Sequence, residues 1–308
     1  MAAKSYKLNN GAFMPEIGLG TWRDEENDDP LMQTVKTAVE IGYRHIDCAP
    51  FYANQRAIGK ALKGVQVPRE ELFIVSKIYE HNHRPELVEG ALDHILDELQ
   101  LDYLDVLLMH WPFAVKPEIG FTKNYGAEVI ENVPIMDTWK AMEALVDKGK
   151  IRAIGVSNFN KPILEKMLPQ CRILPVTNQI EVHPYCQEHE LVEFCKQNNI
   201  VVTAYCPLGG YDLNVMDDEI LKRIADAHSC TPAQVTLSWE RARGIVVIPK
   251  SSNSLRLRQN LKEFVELTPE EMRMINSIQR LERNCDPGRN FKELRWIFYP
   301  EEAECPVI

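Results

Sequence analysis

A closed (β/α)8 barrel, or TIM barrel, is the fold this sequence predicts. Three observations predict it. Eight short apolar segments alternate with segments of helical period, nearly every apolar run ends in a polar side chain, and no linker, low-complexity tract or repeat divides the 308 residues. A chain of this length also admits two domains. The alternation favours a single domain over residues 1–308, with an N-terminal β-hairpin and a C-terminal segment, 283–308, folded over one barrel face.

The elements follow in order. Asn10-Gly11 signals the hairpin, and an apolar stretch then runs to Ile17-Gly18-Leu19. Asp29 is read as an N-cap with Pro30 behind it; Leu31, Val35, Ala38 and Val39 share a helix face that Gly42 ends. His45-Ile46-Asp47 is a second strand, and Gln55 to Leu62 a second helix. Phe73 to Lys77 is the third strand; Leu87, Val88, Ala91, Leu92, Ile95, Leu96 and Leu99 repeat at helical spacing. Leu104 to His110 is a nearly continuous apolar run, as in a strand buried on both faces. Trp139, Met142, Leu145 and Val146 mark a helix closed by Gly149. Strands are expected at Ile151–Ser157, Val176–Glu181, Val201–Tyr205 and Ile245–Ile248, with helices at Ile163–Leu168, around Leu191–Cys195 and from Leu255 to Leu261. The terminal segment from Arg283 is irregular but carries Trp296, Phe298 and Tyr299, too aromatic for a disordered tail.

Composition excludes several classes. Hydrophobic residues make up 45% and the formal net charge is −10, from 35 basic and 45 acidic side chains. This is a core-forming chain without the basic footprint of a sequence-independent nucleic-acid binder. No apolar run approaches the roughly 20 residues of a membrane span, and the N-terminus lacks the apolar core of a secretory signal. Eight scattered cysteines, with no Cys-x-x-Cys, read as reduced thiols in a cytoplasmic protein rather than a disulfide framework.

In such barrels the C-terminal strand ends carry the chemistry. Here they present Asp47, Lys77, His110, Ser157-Asn158, Gln179, Tyr205 and Lys250-Ser251. Tyr52 follows Asp47 by five residues, within reach of the neighbouring strand end at Lys77. A lysine cation beside a phenol favours the phenolate, and an adjacent carboxylate keeps the lysine charged. That makes Tyr52 a candidate general acid and His110 a candidate for orienting a carbonyl oxygen. Each residue alone also fits a plain structural role: an ion pair, a core histidine, a packing tyrosine. Their convergence on adjacent strand ends favours chemistry.

The motifs resemble those of the aldo-keto reductase family, in its aldose/aldehyde reductase-like branch, over essentially the whole chain. The resemblance rests on Gly18-Leu19-Gly20-Thr21-Trp22, His45-Ile46-Asp47-Cys48-Ala49 with Tyr52, Val75-Ser76-Lys77 and Leu104 to Pro112. It continues in Gly155-Val156-Ser157-Asn158-Phe159, Asn178-Gln179-Ile180-Glu181, Tyr205-Cys206-Pro207-Leu208-Gly209 and Ile248-Pro249-Lys250-Ser251. It implies an oxidoreductase that reduces a small-molecule aldehyde or ketone with NADPH, without metal, using Asp47, Tyr52, Lys77 and His110. It also implies a nicotinamide held by Ser157, Asn158 and Gln179 and stacked on Tyr205, with Gly20, Thr21, Trp22, Asp47, Pro207 and Leu208 lining the rest. The adenine end would meet Lys250, Ser251, Ser252, Arg256, Gln259 and Asn260. Two cations there suit a 2′-phosphate, so NADP is expected over NAD. No Gly-x-Gly-x-x-Gly supports a Rossmann alternative.

The sequence departs from the family pattern at Tyr79, where a tryptophan is common, at Gln55, where many relatives have an acid, and at Cys206 and Gly210, which replace frequent serines. His81 and His83 form a metal-like pair, read here as a solvated loop. Pocket walls are expected from Trp22, Phe51, Tyr79, His110, Trp111, Phe113 and Trp296. Arg23 either favours an acidic sugar such as a uronate or pairs with Asp24 or Glu25 on the surface. A uronate reductase and a non-catalytic NADPH-binding regulatory or structural protein are the alternative functions. The expected state is a monomer or weak homodimer, with no nucleic-acid or membrane partner.

Overall fold

A computed structural model describes residues 4–22, 28–210, 213–301 and 305–306. The chain opens with the antiparallel hairpin β1 (Ser5–Lys7) and β2 (Phe13–Pro15), with Tyr6 opposite Met14. The turn works as its residues dictate: Gly11 takes φ +89°, and the Asn10 side chain accepts a hydrogen bond from the Ala12 N–H at 3.1 Å.

Strands and helices then alternate: β3 (Gly18–Gly20), α1 (Asp28–Ile41), β4 (His45–Asp47), α2 (Gln55–Lys63), β5 (Phe73–Ile78), α3 (Pro85–Leu99) and β6 (Val106–Met109). A short antiparallel pair, β7 (Ala114–Val115) and β8 (Ile130–Glu131), interrupts the rhythm before α4 (Ile135–Asp147). There follow β9 (Ile154–Ser157), α5 (Lys161–Met167), β10 (Thr177–Glu181), α6 (His189–Gln197) and β11 (Val201–Tyr205). The chain continues through α7 (Glu219–Ala227), α8 (Pro232–Ala242), β12 (Val246–Val247), α9 (Ser254–Lys262) and α10 (Pro269–Asn276).

Eight strands form one sheet in the order β12-β11-β10-β9-β6-β5-β4-β3, so each barrel strand lies beside its neighbour in sequence. Ile17, just before β3, makes a parallel bridge to Val247 in β12, and the Val247 N–H donates to the Glu16 carbonyl at 3.0 Å. This seam joins the first strand to the last, giving the expected (β/α)8 barrel. It requires Gly20: a Cβ there would sit 2.5 Å from the Ile248 carbonyl oxygen.

The chain divides into two compact units. The first comprises Met1–Asp47, Ala61–Leu72 and Gln179–Cys285; the second comprises Cys48–Lys60, Phe73–Asn178 and Asp286–Ile308. Each buries a large indole with its N–H satisfied. In the first, Trp239 donates to Asn276 Oδ1 at 2.8 Å; in the second, Trp139 donates to the Ile173 carbonyl at 3.1 Å. The terminal segment is ordered, as its aromatics predict. Leu294, Trp296 and Ile297 are buried, and the Asn160 amide donates to the carbonyls of Trp296 (2.8 Å) and Ile297 (3.0 Å). The same Asn160 side chain caps α5 by accepting from the Ile163 N–H at 2.9 Å.

Several boundaries differ from the sequence reading. α1 begins at Asp28, so Asp29 lies inside the helix rather than capping it. The apolar run Leu104–His110 contributes a strand only over Val106–Met109, with Leu104 making an isolated bridge to Ile151. Helices α7, α8 and α10 were not singled out, although their caps are in plain view. Asp218 accepts from the Ile220 N–H, and Thr231 with Gln234 and Thr268 with Glu271 form capping boxes.

Candidate active site

In the second unit the turn Pro50–Tyr52 leads off the chain that follows β4. Pro50 presets its first residue, and Ala53 ends it in the left-handed region at φ 51°. This aims the Tyr52 phenol at Lys77 on β5. Lys77 is completely buried; its ammonium donates to the Cys48 carbonyl at 2.9 Å and to the Tyr52 oxygen at 3.2 Å. The ammonium lies 5.0 Å from the centre of the Tyr52 ring, close enough to favour the cation electrostatically. His110 follows β6, its N–H held by the Ile78 carbonyl at 3.1 Å. Its ring stands edge-on to that of Tyr52, 6.3 Å between centres at 79°. Burial, then the positive charge of Lys77, then His83, hold its imidazole well below the usual histidine range, so it is neutral.

Glu80 escaped the sequence reading. It sits two residues past the strand-end Ile78, is fully buried, and places Oε1 3.9 Å from His110 Nδ1. The available signal was weak: a carboxylate two residues past Ile78, in a stretch where Lys77 already supplies the strand-end polar group. His81 is half-buried, and His83 is buried rather than solvated, with burial pushing its imidazole down to about 3.

Asn158 follows β9 at φ 63°, a conformation asparagine tolerates, and its amide donates to the His110 carbonyl at 3.0 Å and to Ser157 Oγ at 3.2 Å. Both residues are buried.

Of the expected pocket aromatics, Phe51, Tyr79, Trp111, Phe113 and Trp296 belong to the same unit and Trp22 to the first. Phe51 stacks on Tyr79 at 5.0 Å and 9°, and Trp111 meets Phe113 at 6.0 Å. Phe298, not Trp296, lies against Trp111, at 6.1 Å; Trp296 is buried with its indole N–H donated to the Glu293 carbonyl at 2.8 Å. A cavity of about 350 Å³ opens beside Lys77 and Tyr79, walled by Pro50, His81, Leu87 and Phe121.

The departures at Tyr79 and Gln55 have structural explanations. The Tyr79 hydroxyl donates to the Thr122 carbonyl at 2.5 Å and accepts from the Thr122 N–H at 3.2 Å, tying down the segment after β7 as an indole could not. Gln55 accepts from Ser76 Oγ at 2.6 Å and donates to Glu98 at 2.9 Å, using both ends of its amide.

The first unit holds the other predicted residues. Asp47 is buried; its Oδ1 accepts from Gln179 Nε2 at 2.7 Å, and its carbonyl accepts from Thr21 Oγ1 at 2.7 Å. Trp22, Tyr205 and Leu208 are half-buried and Pro207 is buried. Cys206 takes φ 47°, and Gly209 N–H closes a turn onto its carbonyl at 2.9 Å. That turn is pinned by Asn284, which donates to the Gly209 carbonyl at 2.9 Å. Glu181 in turn accepts from Asn284 N–H (2.6 Å), Asn284 Nδ2 (3.0 Å), Cys285 N–H (2.8 Å) and His183 (2.9 Å).

Around the N-terminus of α9, Lys250, Ser252 and Arg256 are exposed, Ser251 and Asn260 buried and Gln259 half-buried. Asn253 caps the helix, and Arg256 Nε lies 3.4 Å from Ser251 Oγ. Arg23, with Asp24 and Glu25, lies outside the described residues.

Among the described residues no helix is long and apolar enough to cross a membrane. All eight cysteines are free thiols, with Cys48, Cys186 and Cys195 buried and the other five half-buried.

Residues 16–280 match the Aldo/keto reductase family. Aldo-keto reductase family 1 member A1 of Pongo abelii is 41% identical over 303 residues, covering 93% of this chain and 93% of that protein. The human protein of the same name is 41% identical over 296 residues, covering 91% and 90%. An aldo/keto reductase of Synechocystis sp. is 41% identical over 295 residues, covering 90% and 89%. The aldose reductase structure from Schistosoma japonicum matches with a TM-score of 0.86 at 40% identity, covering 92% of this chain and 94% of that one. Fold, strand-end residues and relatives agree: the chain belongs to the aldo/keto reductase family, oxidoreductases that act on carbonyl groups.

Proposed function

We propose that this protein reduces an aldehyde or ketone to the alcohol with NADPH, using Tyr52 as the general acid. The observation that carries the reading is the buried Lys77 ammonium 3.2 Å from the Tyr52 hydroxyl. The cation stabilises the phenolate left when Tyr52 gives its proton to the carbonyl oxygen, in a setting with little water to screen it. Neutral His110, edge-on to Tyr52, donates a hydrogen bond to the same oxygen and fixes its direction. The Tyr52 proton is replaced from solvent after the alcohol leaves. Asp47 is fixed at the end of β4 by Gln179 at its side chain and by Thr21 at its carbonyl.

The donor set fits the cofactor. Exposed Lys250, just before α9, and Arg256, in its first turn, flank Ser251, a cationic group suited to a 2′-phosphate. In the same unit Gln179 and Tyr205 offer an amide and a ring; in the other, Ser157 and Asn158 offer buried polar groups. When bound, the nicotinamide supplies the hydride. The eight free thiols support a reducing, cytoplasmic setting.

The test is NADPH oxidation, followed by absorbance, against a panel of aldoses, uronates, glyceraldehyde and aromatic aldehydes. Turnover that Tyr52→Phe abolishes supports the reading. Tight NADPH binding with no turnover of any carbonyl would replace it with a non-catalytic nucleotide-binding role.

A further inference from the structure

Among the described residues of the second unit, Glu80 is the one carboxylate buried completely beside the proposed site. It belongs to the short turn Glu80–Asn82 after β5, and its carboxyl points inward. Neither of its oxygens, nor His110 Nδ1, makes a hydrogen bond of ordinary length, yet Oε1 and Nδ1 face each other at 3.9 Å. A lone buried carboxylate is strongly disfavoured, so the group keeps its proton or shares it with a base.

The surroundings decide where that proton sits. Lys77 bears on His110 as a positive charge, with Tyr52 at its ring edge and His83 behind it. A second positive charge on the imidazole is therefore opposed. His81 lies near His83 and is itself disfavoured as a cation by burial. Glu80's own N–H and the Tyr79 hydroxyl lean toward its carboxyl and offset burial in part, but neither reaches ordinary hydrogen-bond geometry, and the Tyr79 hydrogen is directed at the Thr122 carbonyl 2.5 Å away, with Tyr125 3.3 Å from the oxygen. Burial thus favours the neutral form of both groups, a carboxylic acid 3.9 Å from an uncharged imidazole.

We propose that Glu80 is a positioning residue: as a carboxylic acid it keeps Nδ1 of His110 an acceptor, so that the imidazole proton stays on Nε2, the nitrogen that must donate to the carbonyl oxygen. This rests on the reading of His110 given above. The 3.9 Å gap is closed by a small side-chain rotation or a bridging water. Ionisation inverts the arrangement. A carboxylate only accepts, so Nδ1 takes up the Glu80 proton while Nε2 releases its own to solvent. Nε2 then turns a lone pair toward the substrate oxygen. A glutamate therefore makes the donor pH-dependent, which an amide at this position would not.

The test uses 15N NMR of the full-length protein to read the His110 tautomer across pH, beside kcat against pH. In the wild type, Nε2–H is expected at neutral pH, converting to Nδ1–H together with an alkaline fall in kcat. Glu80→Gln, which cannot ionise and can present its N–H to Nδ1, should keep Nε2–H throughout and leave only the alkaline limb that loss of the Tyr52 proton itself produces. Glu80→Leu, with no donor, should lower kcat about tenfold with mixed tautomers, and Glu80→Gln should recover most of that loss. Nδ1–H in the wild type at neutral pH, or an alkaline limb and tautomer unchanged in both variants, overturns the proposal. The tautomer needs no substrate. A Glu80-dependent tautomer in a protein that turns over no carbonyl would sustain the positioning and sink the proposed function alone.

Discussion

The Lys77 ammonium holds two oxygens of one short stretch of chain, the Cys48 carbonyl and the Tyr52 phenol, so a single buried cation fixes both the turn and the phenol that ends it. Tyr52→Phe keeps the ring and removes the proton. It should lower kcat by about 10²- to 10⁴-fold, the usual range for a lost general acid, with NADPH affinity within about twofold. Single-turnover kinetics and fluorescence titration of NADPH measure the two. Comparable loss of affinity and rate would count against Tyr52 as the acid.

Arg256→Ala tests the cofactor's phosphate. Losing a charge-assisted contact to a 2′-phosphate should weaken NADPH about tenfold or more and leave NADH nearly unchanged. Equal losses, measured as Kd for the two nucleotides, would remove Arg256 from phosphate recognition.

How much of this was legible beforehand follows from the kind of interaction. Strand ends such as Lys77 and His110 were readable because an apolar run ending in a polar group has few explanations. The local partner of Lys77, Tyr52, was readable because a five-residue offset from Asp47 limits its reach. Glu80 was not, since nothing in a linear pattern shows a carboxyl turned inward against a histidine thirty residues on. Helices α7, α8 and α10 announce themselves through their caps at Asp218, Thr231 and Thr268 rather than through a long apolar stripe, so hydrophobic period alone does not reveal them. Trp296 drew notice by size, but which tail aromatic meets Trp111 depends on the turn Lys292–Ile297, which is set by tertiary contacts.

Glu181 should be the most sensitive carboxylate for stability in its unit. Burial alone raises it, but bonds from His183, Asn284 and Cys285 bring it below the ordinary carboxylate value. A depressed acid stabilises fully above the unfolded pKa and loses that contribution as pH falls through the folded one. Glu181→Ala should cost about 3 kcal/mol at neutral pH by leaving those donors unpaired, read from urea midpoints. It should also reduce the acid sensitivity of unfolding.

His83 acts with the opposite group but the same sign. Unfolded, it protonates near the ordinary histidine value; folded, burial holds it at about 3. Between these the unfolded chain binds more protons, so stability falls as pH drops below about 6.5, by about 2 kcal/mol at pH 5. His83→Asn should flatten this limb of the stability–pH curve, measured by denaturant unfolding at each pH. A limb of unchanged slope would mean other groups govern it.

The bridge between Ile17 and Val247 also sets a clock. Ile17 leaves the ribosome early, and its partner is made some 230 residues later, a wait of roughly 10–50 s at the usual pace of synthesis. Throughout that interval the outer side of β3 has no strand to pair with. Its brevity, three residues over Gly18–Gly20 with two glycines, makes it a poor template for another nascent chain.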